Sequence, residues 1–366
     1  MKNRERGLLK IVECLKKHNY SISRILPSQK NHLKLPFEPI NLLNFVFWEK
    51  NALYEWTAFP LFYQKIFKLF YPKVFILFKM FFLNNEVKRD DVFKFFREED
   101  VSLFIKGGIL DESNGSYRFT IKLIPYQDMI ISKGSSWFGK DSVIFAEYLT
   151  KDLSGMTFEK TLDLCTGTGV QAIVSKKYSK RVTASDIREG LVQNAMLNAK
   201  INNITDITFL NSNLLKNIPG KYDLITANPP YGIVSNNPDD KTYGLHTVFE
   251  LLENLDNHLN NGGMASIITE SVVKDGKDMV FEKIKQVFDN KNYTIVLTPL
   301  NYHINNLFFN LVHKEYGISH IPLHIISFRK NDKNMIVLLK LPLIRKIICF
   351  AYIALMYSKY FFRHEK

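Results

Sequence analysis

From residue 161 onward, short apolar runs alternate with helix-length segments, and this alternation constrains the fold more than any other feature. Runs of strand length lie at 161–165, 182–186, 207–210, 222–227, 264–269, 294–298 and 323–328. Helical patterns fill the gaps near 169–179, 188–202, 245–260 and 277–289. Such alternation predicts a doubly wound α/β sheet. In a sheet of this kind the ligand lies beyond the carboxyl ends of the strands.

The 366 residues suit about two domains. The segment before the sheet has a different character. Residues 1–20 carry Leu8, Leu9, Ile11, Val12 and Leu15 at amphipathic helical spacing, without the apolar run of a secretory signal. Residues 45–83 are aromatic-rich, and Pro60 and Pro72 suit the first turns of helices over about 60–70 and 73–83. Phe75, Phe78 and Phe82 belong to the aromatic face that these helices would bury. Asp90 or Asp91 could cap a helix Val92–Arg97, and Gly107 and Gly108 would end another over Glu98–Ile105. The turn Asp111-Glu-Ser-Asn-Gly115 then separates Ile109–Leu110 from an alternating strand at Tyr117, Phe119 and Ile121. This order of elements resembles a winged helix. The chain thus divides into a mainly helical, winged-helix-like N-terminal domain over 1–130, an α/β domain over 131–330, and a basic, apolar C-terminal helix over 331–366. The uninterrupted apolar run Ile347–Ser358 is too short to span a bilayer. Packing on the protein is the favoured reading of this tail, and a peripheral membrane contact the minor one.

Charge separates the same segments. Lys and Arg outnumber Asp and Glu by 21 to 14 over 1–130 and by 10 to 3 over 300–366, whereas 131–299 holds 18 against 19. Basic flanks around a neutral centre suit a polyanionic partner, with RNA favoured. Cys14, Cys165 and Cys349 are too few and too scattered for a disulfide framework or a cysteine zinc site. The expected location is the cytoplasm, with no metal.

Two motifs carry the chemistry. In Thr161-Leu-Asp-Leu-Cys-Thr-Gly-Thr-Gly-Val170 a strand runs through a glycine loop into a helix. Gly167 and Gly169 permit a tight turn and close approach of a ligand, and the helix that follows presents free N–H groups. Asp163 could hold a ligand ammonium group, and Asp186, at the end of the next strand, could accept from both hydroxyls of a ribose. The spacing Gly167-x-Gly169-x-x-Ala172 also fits a dinucleotide loop. An acid four positions before the first glycine brings nothing to a pyrophosphate, but it suits an amino-acid moiety. The second motif, Asn228-Pro229-Pro230-Tyr231, ends the strand Tyr222–Ala227. The Asn228 side-chain oxygen and the Pro229 carbonyl can accept from the N–H groups of a planar amine. Proline stiffens the loop, and Tyr231 offers a stacking face.

Asp163-x-Cys-x-Gly167-x-Gly169, then Asp186, then Asn228-Pro-Pro-Tyr231, over about residues 136–330, resembles the class I S-adenosylmethionine-dependent methyltransferases. The likeness is greatest to the small-domain N-methyltransferases: the release-factor glutamine, ribosomal RNA guanine-N2 and adenine-N6 enzymes. The resemblance implies a Rossmann-like seven-stranded sheet and S-adenosylmethionine as cofactor, held by Asp163, Thr166, Gly167, Gly169, Asp186, Ile187, Asn213 and Leu214. Asn228, Pro229, Pro230 and Tyr231 would be catalytic. Cys165 stands where the family's loop begins with glycine, and Asn213 where an acid meets the adenine amine. The activity expected is methyl transfer to a planar nitrogen, most of all an exocyclic base amine of RNA or DNA. The alternatives are a protein glutamine or a small molecule as acceptor, or a binding module that has lost catalysis. The polar segment 232–242, directly after the motif, suits a substrate lid or, equally, a plain surface loop.

Overall fold

The computed structural model describes residues 2–20, 68–69, 71–231, 242–302 and 318–339. In chain order the elements begin with α1 (Lys2–Lys17), α2 (Pro72–Phe81), β1 (Val87–Lys88), α3 (Arg89–Phe93), α4 (Glu98–Lys106), β2 (Leu110–Ser113) and β3 (Ser116–Phe119). They continue with β4 (Leu123–Tyr126), β5 (Met129–Ser132), α5 (Lys140–Asp152), β6 (Phe158–Leu164), α6 (Val170–Lys176), β7 (Ser179–Asp186) and α7 (Glu189–Ile201). Next come β8 (Ile207–Asn211), β9 (Tyr222–Ala227), α8 (His246–His258), β10 (Leu259–Glu270), β11 (Val273–Lys274), β12 (Lys277–Asp278) and α9 (Met279–Phe288). The last are β13 (Tyr293–Tyr302), β14 (Ile318–His320), β15 (Pro322–Lys330) and β16 (Met335–Leu338). The chain forms two compact units. One comprises residues 1–143, 167–173 and 189–206, and the other 144–166, 174–188 and 207–366.

In the first unit, α1 buries Leu8, Ile11, Val12 and Leu15, each side chain contributing roughly 1.5–3 kcal/mol by leaving water. Gly7 lets α1 approach closely, because a Cβ there would lie 2.8 Å from Ile109 Cδ1 and 3.1 Å from Phe104. Pro72 starts α2, as expected, and the helix buries Phe75, Phe78 and Phe81. Phe78 stacks on Phe82 at 4.9 Å, and Phe81 meets Phe119 at 4.4 Å between ring centroids. The aromatic face of α2 is therefore hydrophobic core, whereas Leu69 and Tyr71 before it are exposed. The helix expected over 60–70 lies outside the described residues, apart from helical residues 68 and 69.

The helix expected at Val92–Arg97 instead occupies Arg89–Phe93. Asp90 and Asp91 sit in its first turn, where they complement the helix dipole, and Asp91 pairs with Lys94 at 2.7 Å. The hairpin β2–β3 turns at Asn114 and Gly115, both at positive φ (49° and 74°), which suits a tight two-residue turn. β1, β3 and β2 form a sheet in that order. The antiparallel pair β4–β5 follows.

The second unit is built on a sheet of order β16-β13-β15-β10-β9-β6-β7-β8. The seven expected strands are all present as β6, β7, β8, β9, β10, β13 and β15. Among the described residues the expectation of seven is corrected to eight, because β16 pairs in parallel with β13 at the edge. Met335-Ile-Val-Leu338 lies in the segment read as a C-terminal helix, and its apolar, β-branched character suits an edge partner for β13. The tail from 340 onward is outside the described residues. β10, β9, β6, β7 and β8 run parallel, and β15 runs antiparallel between β10 and β13. Strand order reverses between β6 and β9, so the crevice at their carboxyl ends is the topological switch point.

Leu162, Leu164, Ile225, Ala227, Ala265, Ile267 and Phe328 from the strands form one core with Val248, Leu251 and Leu255 of α8 and Ile284 and Phe288 of α9. Asp223 staples the opposite end of the sheet. Its Oδ2 accepts from the N–H groups of Glu159 (3.1 Å) and Lys160 (2.9 Å), and its Oδ1 from Asn260 Nδ2 (2.7 Å). Among the described residues no helix is long and apolar enough to cross a membrane.

Candidate active site

Four adjacent parallel strands deliver the expected residues to one edge of the sheet. Register pairs Leu164 with Ala227 and with Ser185, and Asp186 with Asn211. Asn228 and Cys165 are therefore the next residues on neighbouring strands, whose backbones run about 4.8 Å apart.

Asp163 ends β6 almost wholly buried, at 1% exposure. Its Oδ2 accepts from Thr166 Oγ1 at 2.6 Å and its Oδ1 from Thr226 Oγ1 at 2.7 Å. These bonds tie the start of the glycine loop to the strand that carries Asn228. Thr166 is fixed further, its N–H donating to the Ser185 carbonyl at 2.9 Å. Burial and these hydroxyl partners give Asp163 an organising place in the site.

The loop turns through left-handed backbone at Cys165 (φ 56°), Gly167 (φ 51°) and Gly169 (φ 81°). At Gly169 an added Cβ would lie 3.0 Å from Ala195 Cβ and 3.2 Å from its Cα, so glycine is required by both φ and space. Cys165 adopts the conformation that favours glycine, at a cost of about 1 kcal/mol. Burial pushes its thiol up, and the Asp186 and Asp163 carboxylates push it further, so the sulfur is a neutral thiol at pH 7. Cys165→Gly is expected to keep cofactor affinity within about threefold and to leave the melting temperature unchanged or raised, because relieved strain offsets the lost side-chain contact. Calorimetric titration and thermal denaturation check this.

Asp186 ends β7 at 7% exposure, with Oδ1 accepting from Arg188 N–H at 3.1 Å. Its carbonyl accepts from Ser212 N–H at 3.0 Å and from Asn211 Nδ2 at 3.1 Å. Ile187 follows with 60% of its surface exposed, an apolar face left in solvent at the mouth of the site. After β8, Asn213 is half-buried and Leu214 is buried at positive φ (48°). Asn228 is half-buried, Pro229 buried, Pro230 exposed and Tyr231 half-buried. Residues 232–241, which hold almost all of the expected lid, lie outside the described residues.

Sequence reasoning passed over Thr226 and Ser212. Thr226 is the one hydroxyl in the inner part of an otherwise apolar strand, a signal that a partner awaits it inside. Ser212 closes the turn after β8 through its Oγ, which donates to the Leu214 carbonyl at 3.0 Å. Among the described residues no group of three or more His, Cys, Asp or Glu side chains is arranged to hold a metal ion.

Residues 131–297 match the Methyltransferase small domain family. A Methanocaldococcus jannaschii chain named as a candidate protein N5-glutamine methyltransferase is 31% identical over 157 residues, which are 40% of this chain and 76% of that one. The ribosomal protein L11 methyltransferase of Lactobacillus johnsonii is 34% identical over 136 residues, 37% of this chain and 36% of the relative. The chain thus spans only about a third of that relative's length. Among solved structures, the L11 methylase of Lactobacillus delbrueckii subsp. bulgaricus is 24% identical, with a TM-score of 0.34, covering 50% of this chain and 77% of that one.

Proposed function

The chain belongs to the class I S-adenosylmethionine-dependent methyltransferases, and on that premise we propose that it methylates a planar amide nitrogen of a protein, with Asn228, Pro229 and Tyr231 at the reacting centre. The observation that carries this reading is the register of Leu164 with Ala227, from which the glycine turn and the Asn-Pro-Pro-Tyr segment issue side by side.

The residues present fit the cofactor. Gly167 and Gly169 give a loop whose backbone a ligand can approach closely, and Asp186 offers a strand-end carboxylate of the kind that accepts from ribose hydroxyls. Ile187 offers an exposed apolar face beside it, suited to a purine ring, and Asn213 can accept from an amine through its amide oxygen. Leu214 supplies apolar lining. Asp163 acts through Thr166 and Thr226, holding loop and motif in register. When bound, S-adenosylmethionine supplies an electrophilic methyl group on a sulfonium.

The protein's task is to make a poor nucleophile react. An amide nitrogen shares its lone pair with the carbonyl. Asn228 Oδ1 and the Pro229 carbonyl accept from its two N–H bonds, which favours a tetrahedral nitrogen with a localised lone pair. Pro230 lacks an N–H and fixes φ, so the Pro229 carbonyl is held in one direction. Tyr231 stacks on the planar acceptor. Positioning then does the remainder, and no strong base is needed because the nitrogen loses its proton after it has gained a bond.

Two observations support a protein acceptor. Both sequence relatives described above are named for protein substrates. The helix α4 and hairpin β2–β3, which a winged helix would present to nucleic acid, also carry Glu98, Glu99, Asp100, Asp111 and Glu112 against only Lys106 and Arg118. That balance repels a phosphate backbone. The second reading is a base amine of RNA, favoured by the net charge of +13 and the basic flanks. Transfer of tritiated methyl groups into protein and RNA fractions separates the two. Label in protein, little affected by salt, supports the first reading. Label in RNA that falls steeply with salt establishes the second.

Asp186→Ala is expected to weaken S-adenosylmethionine binding roughly ten- to a hundredfold, the loss of charge-assisted hydrogen bonds, with little change in thermal stability. Calorimetric titration measures this, and unchanged affinity would remove Asp186 from the site.

A further inference from the structure

Three asparagines, Asn194, Asn198 and Asn202, stand four residues apart on α7 and grip backbone in the strand β5 and the segment after it. Asn202 Oδ1 accepts from Ile130 N–H at 3.0 Å while its Nδ2 donates to the Ile130 carbonyl at 2.8 Å. Asn198 treats Ser132 the same way, at 2.7 Å and 2.9 Å. Asn194 donates to the Ser132 carbonyl (3.2 Å), the Lys133 carbonyl (3.4 Å) and Ser136 Oγ (3.2 Å). The helix thus offers amide side chains where a sheet would offer the next strand.

Asn198 differs from its neighbours in one respect. It is fully buried, and its remaining amide hydrogen donates to the Thr168 carbonyl at 2.8 Å. Thr168 lies between Gly167 and Gly169, both at positive φ, in the most permissive backbone of the loop. In a trans peptide the C=O and N–H bonds point in opposite directions. Holding the Thr168 oxygen toward α7 therefore aims the Gly169 N–H away from it. The close approach of Gly169 to Ala195 presses the turn against the same helix.

We propose that Asn198 is a positioning residue for cofactor binding, which fixes the Thr168–Gly169 peptide from its anchorage on Ser132. The proposal rests on the reading of the glycine loop as the S-adenosylmethionine site. No other side chain can replace this amide: aspartate lacks both donors, leucine lacks all polar atoms, and glutamine is a methylene too long for a fully buried position.

Asn202 is the matched control, since it makes the same paired grip on β5 one helical turn away without touching the loop. Asn198→Ala is expected to weaken S-adenosylmethionine binding at least about tenfold, with Asn202→Ala within about twofold of the unchanged protein, both measured below their melting temperatures by calorimetry. A purely structural role would make the two variants alike, and equal affinities would overturn the proposal. If Asp186→Ala also leaves affinity unchanged, the fault lies in the reading of the site. If Asp186→Ala weakens binding and Asn198→Ala does not, only the present inference fails. Should Asn198→Ala not fold, hydrogen exchange on the unchanged protein decides. S-adenosylmethionine should slow exchange of the Ser132 amide, whose acceptor is Asn198, more than that of the Ile130 amide, whose acceptor is Asn202. Equal slowing would overturn the proposal.

Discussion

Asn228→Ala is expected to bind S-adenosylmethionine as the unchanged protein does and to lose methyl transfer by a factor of roughly 10² to 10³ in kcat. The reason lies in what the side chain does at each stage. Asn228 follows β9, one strand away from the glycine loop, and its oxygen is assigned to the acceptor nitrogen rather than to the cofactor. A planar nitrogen needs its lone pair localised only as the new bond forms, so the interaction strengthens in the transition state. Removing it lowers kcat rather than raising KM alone. Asn228→Asp keeps the oxygen geometry but adds charge, and it should recover part of the rate if the role is to accept hydrogen bonds. Single-turnover transfer of labelled methyl groups, alongside calorimetric titration, checks both variants. Full turnover in Asn228→Ala would sink the proposed mechanism.

The largest effect on stability is expected at Asp278, in a buried network of the second unit. Asp278 caps α9, its Oδ1 accepting from Phe281 N–H at 3.0 Å and from Ser271 Oγ at 2.6 Å. Its Oδ2 meets His324 Nε2 at 2.7 Å, and His324 is 1% exposed. Asp278→Ala strips partners from a buried imidazole, a buried hydroxyl and a helix N–H together. Breaking a buried pair on one side costs about 3–5 kcal/mol, and urea unfolding should show a loss of that order. Asp278→Asn keeps an acceptor oxygen and should cost less.

The acid side of the stability curve tests the same network. Burial pushes the Asp278 carboxyl up, but the His324 hydrogen bond and charge, the Ser271 hydroxyl and the Phe281 N–H outweigh it, and the net shift is below the ordinary value of 3.8. A carboxyl with a lower pKa in the folded state contributes stability above its unfolded value and loses it as pH falls through the folded one. The unchanged protein should therefore lose this stabilisation below about pH 4, and Asp278→Ala should show a flatter decline there. Parallel slopes in the two proteins would show that Asp278 is not linked to folding in this way.

The strands and helices of the sheet were legible because they depend on local pattern. Apolar runs of four to six residues bounded by turn-forming residues are too short for helices and suit strands, and all seven were found. β16 was missed because the segment was read as part of a terminal helix, and its pairing with β13 is a choice of sheet edge that no local pattern records. The helix α3 began three residues earlier than expected because acids near a helix start suit both the cap and the first turn. Cys165 shows the limit from the other side. The sequence places a cysteine in the loop, but its φ of 56° and its nearness to two carboxylates belong to the folded chain.

The sequence by itself determined the α/β alternation, the glycine turn and the Asn-Pro-Pro-Tyr segment, because each follows from residues close together in the chain. Only the tertiary structure decided that Asp163 accepts from the Thr166 and Thr226 hydroxyls. It alone brought Asp278 to His324, 46 residues apart. It alone set Asn198 between Ser132 and Thr168, at sequence separations of 66 and 30 residues. The physical reason is the same in each case. A buried polar group must find its partner wherever the fold brings one, and spacing along the chain carries no record of that meeting.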